Sequence, residues 1–426
     1  MRKKEDSDRS SIRAYLAWFS ISLFFFYQYI LRVSPGVMYE ELSLTFNLTT
    51  EQFASLGAYY LYTCSLLQIP LGLLIDRVGV RPTILGSILL CMLGTLSQAI
   101  APADQFWIVQ LSRILIGLGS ATAFMGALKV AADYLPAGRR ALLMGATLSL
   151  GTIGALMAGK PLVYFLDLKG WRYTLLLTLV VGLVVFVMNA IILPKEKGKA
   201  KESGANELKH FWQQIGAVFK NRPVILYAIL AIGVYTPLSA LADLWGTTFL
   251  KQKFMLARAD AAQISMMMYM GLAVGSLILP WLSERYNALN RGIQICEVML
   301  LVCFVALLYL PTLSLYSLIS LLFLMGLFCG GEMMCFTGAA LYTTRDNSGV
   351  TMGVVNTLNM LGGAILQHII GLGLDWQWSG AYDTQGIRSY TTEQFVFALS
   401  LMLAVIGICV VLSFRLGKKE KVAYSA

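Results

Sequence analysis

Twelve transmembrane helices in two bundles of six are predicted by three features of the chain, making it an all-α polytopic membrane protein with both termini in the cytoplasm. First, 57% of the 426 residues are hydrophobic and 13% are charged, whereas soluble domains contain roughly 25% charged residues. Second, the chain contains apolar stretches about as long as the roughly 20 residues that cross a membrane. Third, a single long polar stretch divides these apolar stretches six and six.

The apolar stretches follow one another with short connectors. Those of the first half lie at residues 14–39, 52–75, 82–101, 105–135, 141–165 and 172–193. Those of the second half lie at residues 224–250, 261–283, 293–310, 313–342, 350–374 and 394–414. Together they leave no room for an extramembrane domain of ordinary size.

The polar stretch, residues 194–222, is the predicted cytoplasmic linker between an N-terminal bundle (1–193) and a C-terminal bundle (223–426). Its first residues, Lys195-Glu-Lys-Gly-Lys199, are too charged to enter hydrocarbon. Further along it, five apolar residues recur at helical spacing: Leu208, Phe211, Trp212, Ile215 and Phe219. This pattern among basic residues predicts an amphipathic helix that lies on the membrane surface.

Basic residues indicate the orientation of the chain. The first thirteen residues contain five Lys or Arg, and the apolar run behind them is long enough to span, so no cleavable signal peptide is predicted. With cytoplasmic termini, 23 of the 33 basic residues fall in the termini and inner loops, and six fall in outer loops. By the positive-inside rule, this bias predicts that the termini of this multi-pass protein face the cytoplasm. We expect the apolar stretches to be surrounded by the lipid of a bacterial inner (plasma) membrane.

Composition also excludes several functional classes. The net charge of +10 would suit a nucleic-acid partner only on a folded soluble module, which the pattern does not contain. The seven cysteines have no metal-ligand spacing, and two histidines give almost no material for a metal site or a catalytic triad. No phosphate-loop motif is present. We therefore predict neither an enzyme nor an ATP-driven pump, with no cofactor and no metal.

A charged loop after the second apolar stretch reads Gly72-Leu-Leu-Ile-Asp76-Arg77-Val-Gly79-Val-Arg81-Pro82. Gly72 allows two helices to approach closely, and Gly79 permits a tight turn. Asp76 is placed to meet a helix N-terminus or an arginine of the other half. The loop resembles the signature between helices 2 and 3 of the major facilitator superfamily. The resemblance implies that family's two-bundle fold and a conformational role for this loop and for Arg139; an ordinary charged loop is the alternative.

The fourth apolar stretch carries Arg113-Ile-Leu-Ile-Gly-Leu-Gly-Ser-Ala121, which resembles the second signature of the same superfamily. Arg113 lies roughly nine residues inside its helix, where an unpaired charge costs at least about 2.5–3.5 kcal/mol. It must therefore face a polar interior. The resemblance implies a role in proton coupling or helix positioning, and a structural arginine bonded to neighbouring carbonyls is the alternative.

Two further segments bear on the substrate. Lys160 precedes Pro161, which departs from the Gly-Pro pattern of the superfamily's drug antiporters and disfavours efflux. The first apolar stretch reads Phe26-Tyr-Gln-Tyr-Ile-Leu-Arg-Val-Ser-Pro-Gly-Val-Met38 and resembles the phagosomal-transporter-like branch of intracellular bacteria. That resemblance implies uptake of amino acids or, in some cases, of nucleosides.

Arg32 and Asp243 are the central candidates for a substrate site. Each lies about 18 or 19 residues along its helix, so at 1.5 Å per residue both reach a similar depth in the outer half of the bilayer. Because their helices are counterparts in the two halves, we expect the side chains to face each other across a central path. Arg32 would bind a substrate carboxylate and Asp243 an ammonium group or the coupling proton. An ion pair that closes the outer gate is the alternative.

Other polar residues within apolar stretches are secondary candidates. Glu332 and Lys129 are predicted to form an inner gate, or Glu332 to carry the proton, whereas Glu297 is expected to lie too close to the inner surface. Residues at helical spacing on the eleventh stretch should line the path or bond neighbouring helices: Asn356, Asn359, Gly363 and Gln367. Aromatic and amide candidates for substrate contact are Tyr27, Gln28 and Tyr235.

These features favour a monomeric secondary transporter that takes up a small polar nutrient with protons by alternating access, most simply an amino acid or a nucleoside. Acidic residues in both halves and 12% aromatic residues keep drug or metabolite efflux by proton exchange as the alternative. A drug pump, however, has little reason to hold Arg32 in its cavity. A non-transporting receptor of the same fold is the third possibility.

Overall fold

The computed structural model describes residues 2–135, 140–195, 205–344 and 347–416. Within these ranges the regular structure is helical, apart from one isolated bridge between Tyr382 and Arg388. The predicted all-α fold is therefore confirmed for the described residues. The helices before the linker are α1 (Arg2–Val37), α2 (Tyr39–Phe46), α3 (Thr50–Val78), α4 (Val80–Ile100), α5 (Phe106–Ser120), α6 (Thr122–Tyr134), α7 (Arg140–Met157) and α8 (Lys160–Ile192).

The later helices begin with the linker helix. They are α9 (Ala205–Lys220), α10 (Arg222–Pro237), α11 (Gly246–Phe254), α12 (Arg258–Ser265), α13 (Met267–Arg285), α14 (Leu289–Tyr309), α15 (Leu315–Cys329), α16 (Glu332–Ala340), α17 (Ser348–Trp376) and α18 (Thr392–Ser413). A π-helical segment, Leu238–Trp245, connects α10 to α11. We call this stretch the π-segment.

Ten segments of the described chain are long and apolar enough to cross a membrane. One of them, Leu142–Ile192, is 51 residues long and contains Gly170, whose φ of 79° and ψ of 172° are not helical. Helix α3 has 29 residues and is not among the ten. The number of twelve crossings and the cytoplasmic termini therefore stay predictions.

The π-segment interrupts the seventh predicted span, which the sequence pattern presents as a single helix. It follows Pro237, whose ring removes a backbone N–H from the helical ladder. Side chains of neighbouring helices donate hydrogen bonds to two backbone carbonyls of the π-segment. Gln367 Nε2 lies 2.6 Å from Ser239 O, and Ser265 Oγ lies 3.3 Å from Leu241 O. Wider helical turns of this kind occur frequently at functional sites.

The linker contains the predicted helix, α9, but only part of its apolar surface is free. Phe211, Ile215 and Val218 are buried, and Val218 packs against Val224 at the start of α10. Trp212 remains 66% exposed, and Phe219 is also exposed. The helix therefore attaches to the second half of the chain through one stripe and presents a second apolar stripe outward.

Ionic contacts join the two halves at the end of the bundle where α1 ends and α3 begins, which we call the distal end. Arg258 of α12 binds Glu41 of α2 in a two-pronged contact, with N–O distances of 2.6 and 2.7 Å. Asp375 of α17 accepts hydrogen bonds from the first backbone N–H groups of α3, at Thr50 (3.1 Å) and Glu51 (2.8 Å). A carboxylate at a helix N-terminus is favourable because it satisfies free N–H groups and opposes the helix dipole.

Candidate functional site

Arg32 and Asp243 form a buried ion pair between the two halves of the chain. Nε and Nη2 of Arg32 lie 2.9 and 2.7 Å from Asp243 Oδ2. The side chains are almost completely enclosed, with exposed fractions of 8% for Arg32 and 3% for Asp243. The structure thus brings together the two residues that the depth argument placed opposite each other.

A close approach between α1 and the π-segment positions this pair. Gly36 lies one turn beyond Arg32, and a Cβ at this position would be 2.7 Å from Leu244 O and 2.8 Å from Asp243 O. Those distances are too short for a side-chain carbon, so only glycine allows the two backbones to pack here without a shift. The backbone contact holds the guanidinium within reach of the carboxylate.

Three tyrosines complete the surroundings of the pair, and with Arg32 and Asp243 we call them the ionic cluster. Arg32 Nη2 donates to the hydroxyl of Tyr235, and the hydroxyl of Tyr269 donates to Asp243 Oδ1. The rings of Tyr29 and Tyr235 lie 5.5 and 5.7 Å from the Arg32 guanidinium carbon, within the range of cation–π contact. Both carboxylate oxygens of Asp243 and two nitrogens of Arg32 therefore have hydrogen-bond partners within the ionic cluster.

Sequence reasoning identified Tyr235 but missed Tyr29 and Tyr269. Tyr29 lies three residues before Arg32, which puts both side chains on one face of a helix and was a usable signal. Tyr269 has no comparable signal, because it reaches Asp243 from α13 only through tertiary packing, and its ring meets that of Tyr29 edge-on at 5.4 Å.

Arg113 is bound to backbone carbonyls of its own half. Its nitrogens donate to Leu56 O (2.9 Å), Leu31 O (2.8 Å) and Arg32 O (3.3 Å). The ring of Tyr60 lies 5.0 Å from its guanidinium carbon. This geometry matches the structural alternative that the sequence left open, since the contacts tie α1, α3 and α5 together.

The predicted gate residues Glu332 and Lys129 each have a partner nearby. Asn359 Nδ2 donates to Glu332 Oε1, and Lys129 Nζ lies 3.5 Å from Asp133 Oδ2 one turn along the same helix. Glu332 is buried, whereas Lys129 and Asp133 are partly exposed.

The remaining predicted contacts are dispersed. Gln28 accepts a hydrogen bond from Tyr60 (2.6 Å), and Tyr27 packs in the first-half core, where a Cβ on Gly182 would meet its hydroxyl at 2.6 Å. Gln367 is engaged with the π-segment through Ser239 O, as described above. Asn356 is only partly buried, and its amide lies 3.9 Å from the sulfur of Met360. The structure therefore does not bring Tyr27 or Asn356 to the ionic cluster.

The signature loop forms a tight connection at the end opposite the distal end. Gly79 has a φ of 93° and a ψ of 157° and separates α3 from α4, so the turn expected at this glycine is present. Arg81 donates to Leu193 O (2.9 Å) and Ala190 O (2.6 Å), the free carbonyls at the end of α8. Arg77 lies in the last turn of α3. The side-chain surroundings at Gly72 and Asp76, and Arg139 altogether, lie outside the described residues.

Among the described residues, no group of three His, Cys, Asp or Glu side chains could hold a metal ion. The seven cysteines are buried free thiols.

Comparison with known proteins identifies the family that has this architecture. The family model described as Major Facilitator Superfamily matches residues 17–366. A gentisate transporter of Corynebacterium glutamicum is 22% identical over 409 residues, covering 91% of this chain and 85% of that protein. The lysosomal dipeptide transporter MFSD1 of Mus musculus is 23% identical over 266 residues, 55% of this chain and 54% of that protein.

Solved structures give the same result for the fold. A bacterial homologue of the human lysosomal transporter Spinster, in an inward-facing and unoccupied conformation, superimposes with a TM-score of 0.73 at 16% identity, covering 95% of this chain and 96% of that chain. The family and these relatives are transporters and not enzymes. The helical architecture, the apolar spans and the family match agree, and the chain belongs to the major facilitator superfamily.

Proposed function

We propose that the chain is a proton-coupled secondary transporter that takes up a small polar solute bearing a carboxylate, most simply an amino acid, by alternating access. The observation that carries this proposal is the Arg32–Asp243 ion pair, which joins the two halves of the chain inside the bundle. A guanidinium binds a planar carboxylate in a two-pronged manner that ammonium groups cannot match. The same charge would be a disadvantage for a cationic substrate.

The proposed cycle uses the exchange of one carboxylate for another. Without substrate, the carboxylate of Asp243 accepts hydrogen bonds from the Arg32 guanidinium. A proton taken up by Asp243 would remove its charge and free Arg32 to bind the substrate carboxylate, with Tyr235 and Tyr269 remaining as hydroxyl partners. Glu332, held by Asn359, is the second candidate for the proton. The free energy of substrate binding would then act between the two halves of the chain, whose relative movement produces alternating access.

The relatives support this class of substrate. Gentisate and dipeptides both carry a carboxylate, and their transporters match this chain. The phagosomal-transporter-like resemblance of the first helix adds amino acids and nucleosides as candidates. A nucleoside has no carboxylate for Arg32, so amino acids and related acids fit the ionic cluster better. Efflux of drugs or metabolites remains the second candidate.

We also propose twelve crossings with cytoplasmic termini in a bacterial inner membrane, as a monomer. Dividing Leu142–Ile192 at Gly170 and adding α3 to the ten apolar segments gives the count of twelve. In this topology the distal end faces outward. The ionic contacts of Arg258 and Asp375 at that end support a state closed to the outside.

Uptake by proteoliposomes tests the function. Labelled amino acid uptake driven by a pH gradient should be competed by unlabelled amino acids and organic acids, and not by nucleosides or cationic dyes. Asp243→Asn should retain binding and lose gradient-driven accumulation, because it mimics the protonated residue permanently. Competition by cationic dyes alone would favour the efflux alternative. Intact substrate affinity after Arg32→Ala would contradict the binding role of Arg32 and leave the gate role.

A further inference from the structure

A further buried acid, besides Asp243 and Glu332, lies in the core of the C-terminal half. Glu297 of α14 has an exposed fraction of 0%, and neither of its carboxyl oxygens accepts a hydrogen bond. The expectation that Glu297 lies close to the inner surface stays a prediction, since burial among helices is a separate property from depth in the membrane. No ion pair forms between Glu297 and any Lys, Arg or His of the described chain.

The space for this carboxyl comes from a glycine on a neighbouring helix. A Cβ at Gly233 of α10 would lie 2.8 Å from Glu297 Oε2 and 2.7 Å from Cys409 Sγ of α18. Cys409 directs its thiol to Ile229 O (3.4 Å). The carboxyl is therefore enclosed between α10, α14 and α18 by apolar groups and a thiol.

The helices packed against α14 offer this carboxyl little compensation for a negative charge. The titratable and charged groups of these helices, with those of α14 itself, include Arg222 and Tyr227 of α10, Glu284 and Arg285 of α13, Arg291, Cys296 and Cys303 of α14, Cys329 of α15, Glu332 and Cys335 of α16 and Cys409 of α18. The three cations in this set are exposed, and Arg285 lies over the ring of Trp281. An ionised carboxylate in such surroundings is so unfavourable that the group takes up a proton instead.

We propose that Glu297 is a proton-binding site, separate from the ionic cluster, that holds its proton in this conformation and releases it when the helices around it separate during transport. The release step rests on the transport cycle proposed above, whereas the bound proton does not.

The Glu297 site is connected to the interface between the halves in two ways, by a continuous helix and by a helix contact. Helix α10, which encloses Glu297 through Gly233, continues into the π-segment that carries Asp243. On the other side, a Cβ at Gly331 would lie 2.8 Å from the sulfur of Cys296, and the next residue is Glu332, bound to Asn359 of α17. A movement of α10 or α16 relative to α14 therefore changes the enclosure of Glu297.

Infrared spectroscopy of the purified protein tests the bound proton without any transport assay. The protein at neutral pH should show the carbonyl band of a protonated carboxylic acid that is weakly hydrogen-bonded. Glu297→Gln should remove this band, and the matched control Glu393→Gln, on the exposed first turn of α18, should keep it. If E297Q does not fold, Glu297→Asp should shift the band. An identical band in the parent and in the Glu297 variants would overturn the proposal.

Transport assays distinguish a proton that is released during the transport cycle from a proton that stays bound to Glu297. In proteoliposomes, E297Q should retain substrate counterflow, which needs no net proton movement, and should lose pH-gradient-driven accumulation by about tenfold or more, the scale of coupling between two sites. E393Q should keep both activities. Accumulation by E297Q equal to that of E393Q would contradict the release step. If the parent itself shows no gradient-driven accumulation, the proposed proton coupling fails, and the infrared result still decides whether Glu297 carries a proton.

Discussion

Arg32 and Arg113, the arginines buried in the described part of the chain, have opposite kinds of partner. Arg113 donates to three backbone carbonyls and faces Tyr60, all within the first half of the chain. Arg32 binds a carboxylate and a tyrosine hydroxyl that belong to the second half. Both guanidiniums are satisfied, but only that of Arg32 depends on a group that can change its charge.

This difference separates a structural charge from one that can take part in a cycle. The carbonyls that bind Arg113 belong to the same half of the chain, and a backbone carbonyl does not change its charge by taking up a proton. Asp243 can be protonated, and it can move away with the other half. An arginine held by a carboxylate across the interface is therefore suited to exchange partners, and an arginine held by carbonyls is suited to fix helices.

The largest effect is expected from Arg32→Ala. It leaves Asp243 buried without its cation, and breaking a buried pair costs about 3–5 kcal/mol. Substrate affinity should fall by about 30-fold or more, since a truncated charge partner costs about 2–5 kcal/mol in binding. Thermal unfolding and equilibrium binding measure the two effects. The double variant Arg32→Ala/Asp243→Asn should recover stability and not affinity; recovery of affinity would show that Arg32 does not contact substrate.

Arg113→Ala should reduce stability and leave the affinity of the folded protein nearly unchanged. Three carbonyls lose their donor, and unsatisfied buried polar groups cost about 1–3 kcal/mol each, with partial relaxation lowering the sum. We expect a loss of about 3 kcal/mol, measured as a lower unfolding temperature in detergent. A substrate affinity reduced as strongly as in Arg32→Ala would contradict the distinction between the two arginines.

Gly36→Ala tests whether the close approach of α1 to the π-segment places the ion pair. The added Cβ would meet Asp243 O and Leu244 O at 2.8 and 2.7 Å, and overpacking typically costs about 1–3 kcal/mol. Uptake should fall by about tenfold because Arg32 is displaced from Asp243. The matched control is Gly86→Ala on α4, where a Cβ meets nothing within 4 Å. Equal uptake by the two variants would show that the approach has no role.

The smallest effect is expected from Arg258→Ala at the distal end. Its pair with Glu41 is more exposed than the Arg32–Asp243 pair, so its loss should cost less stability than the loss of that pair. The relevant measurement is accessibility: a cysteine introduced in place of Ser43, which is buried beside these contacts, should react faster with an impermeant thiol reagent in the variant. An unchanged reaction rate would exclude the Arg258 contact from the distal closure.

The sequence located the ion pair because charges within apolar helices are expensive and therefore rare, which leaves few candidates, and because helix rise fixes depth. The sequence did not distinguish the role of Arg32 from that of Arg113, since each is a single arginine within an apolar stretch. Tyr27 and Gln28 stand next to each other in sequence, yet they reach different neighbours because successive helical residues differ by about 100° in direction.

Composition, spacing and charge bias by themselves determined an all-helical membrane protein and marked Arg32 and Asp243 as a pair, whereas two motifs resembled the signatures of this superfamily. Tertiary structure alone decided that Arg113 binds carbonyls, that Tyr269 joins the ionic cluster and that Glu297 has no partner. The physical reason is that hydrophobicity and the cost of buried charge act on each segment separately, and so can be read along the chain. The identity of a polar partner depends instead on how helices distant in sequence pack together.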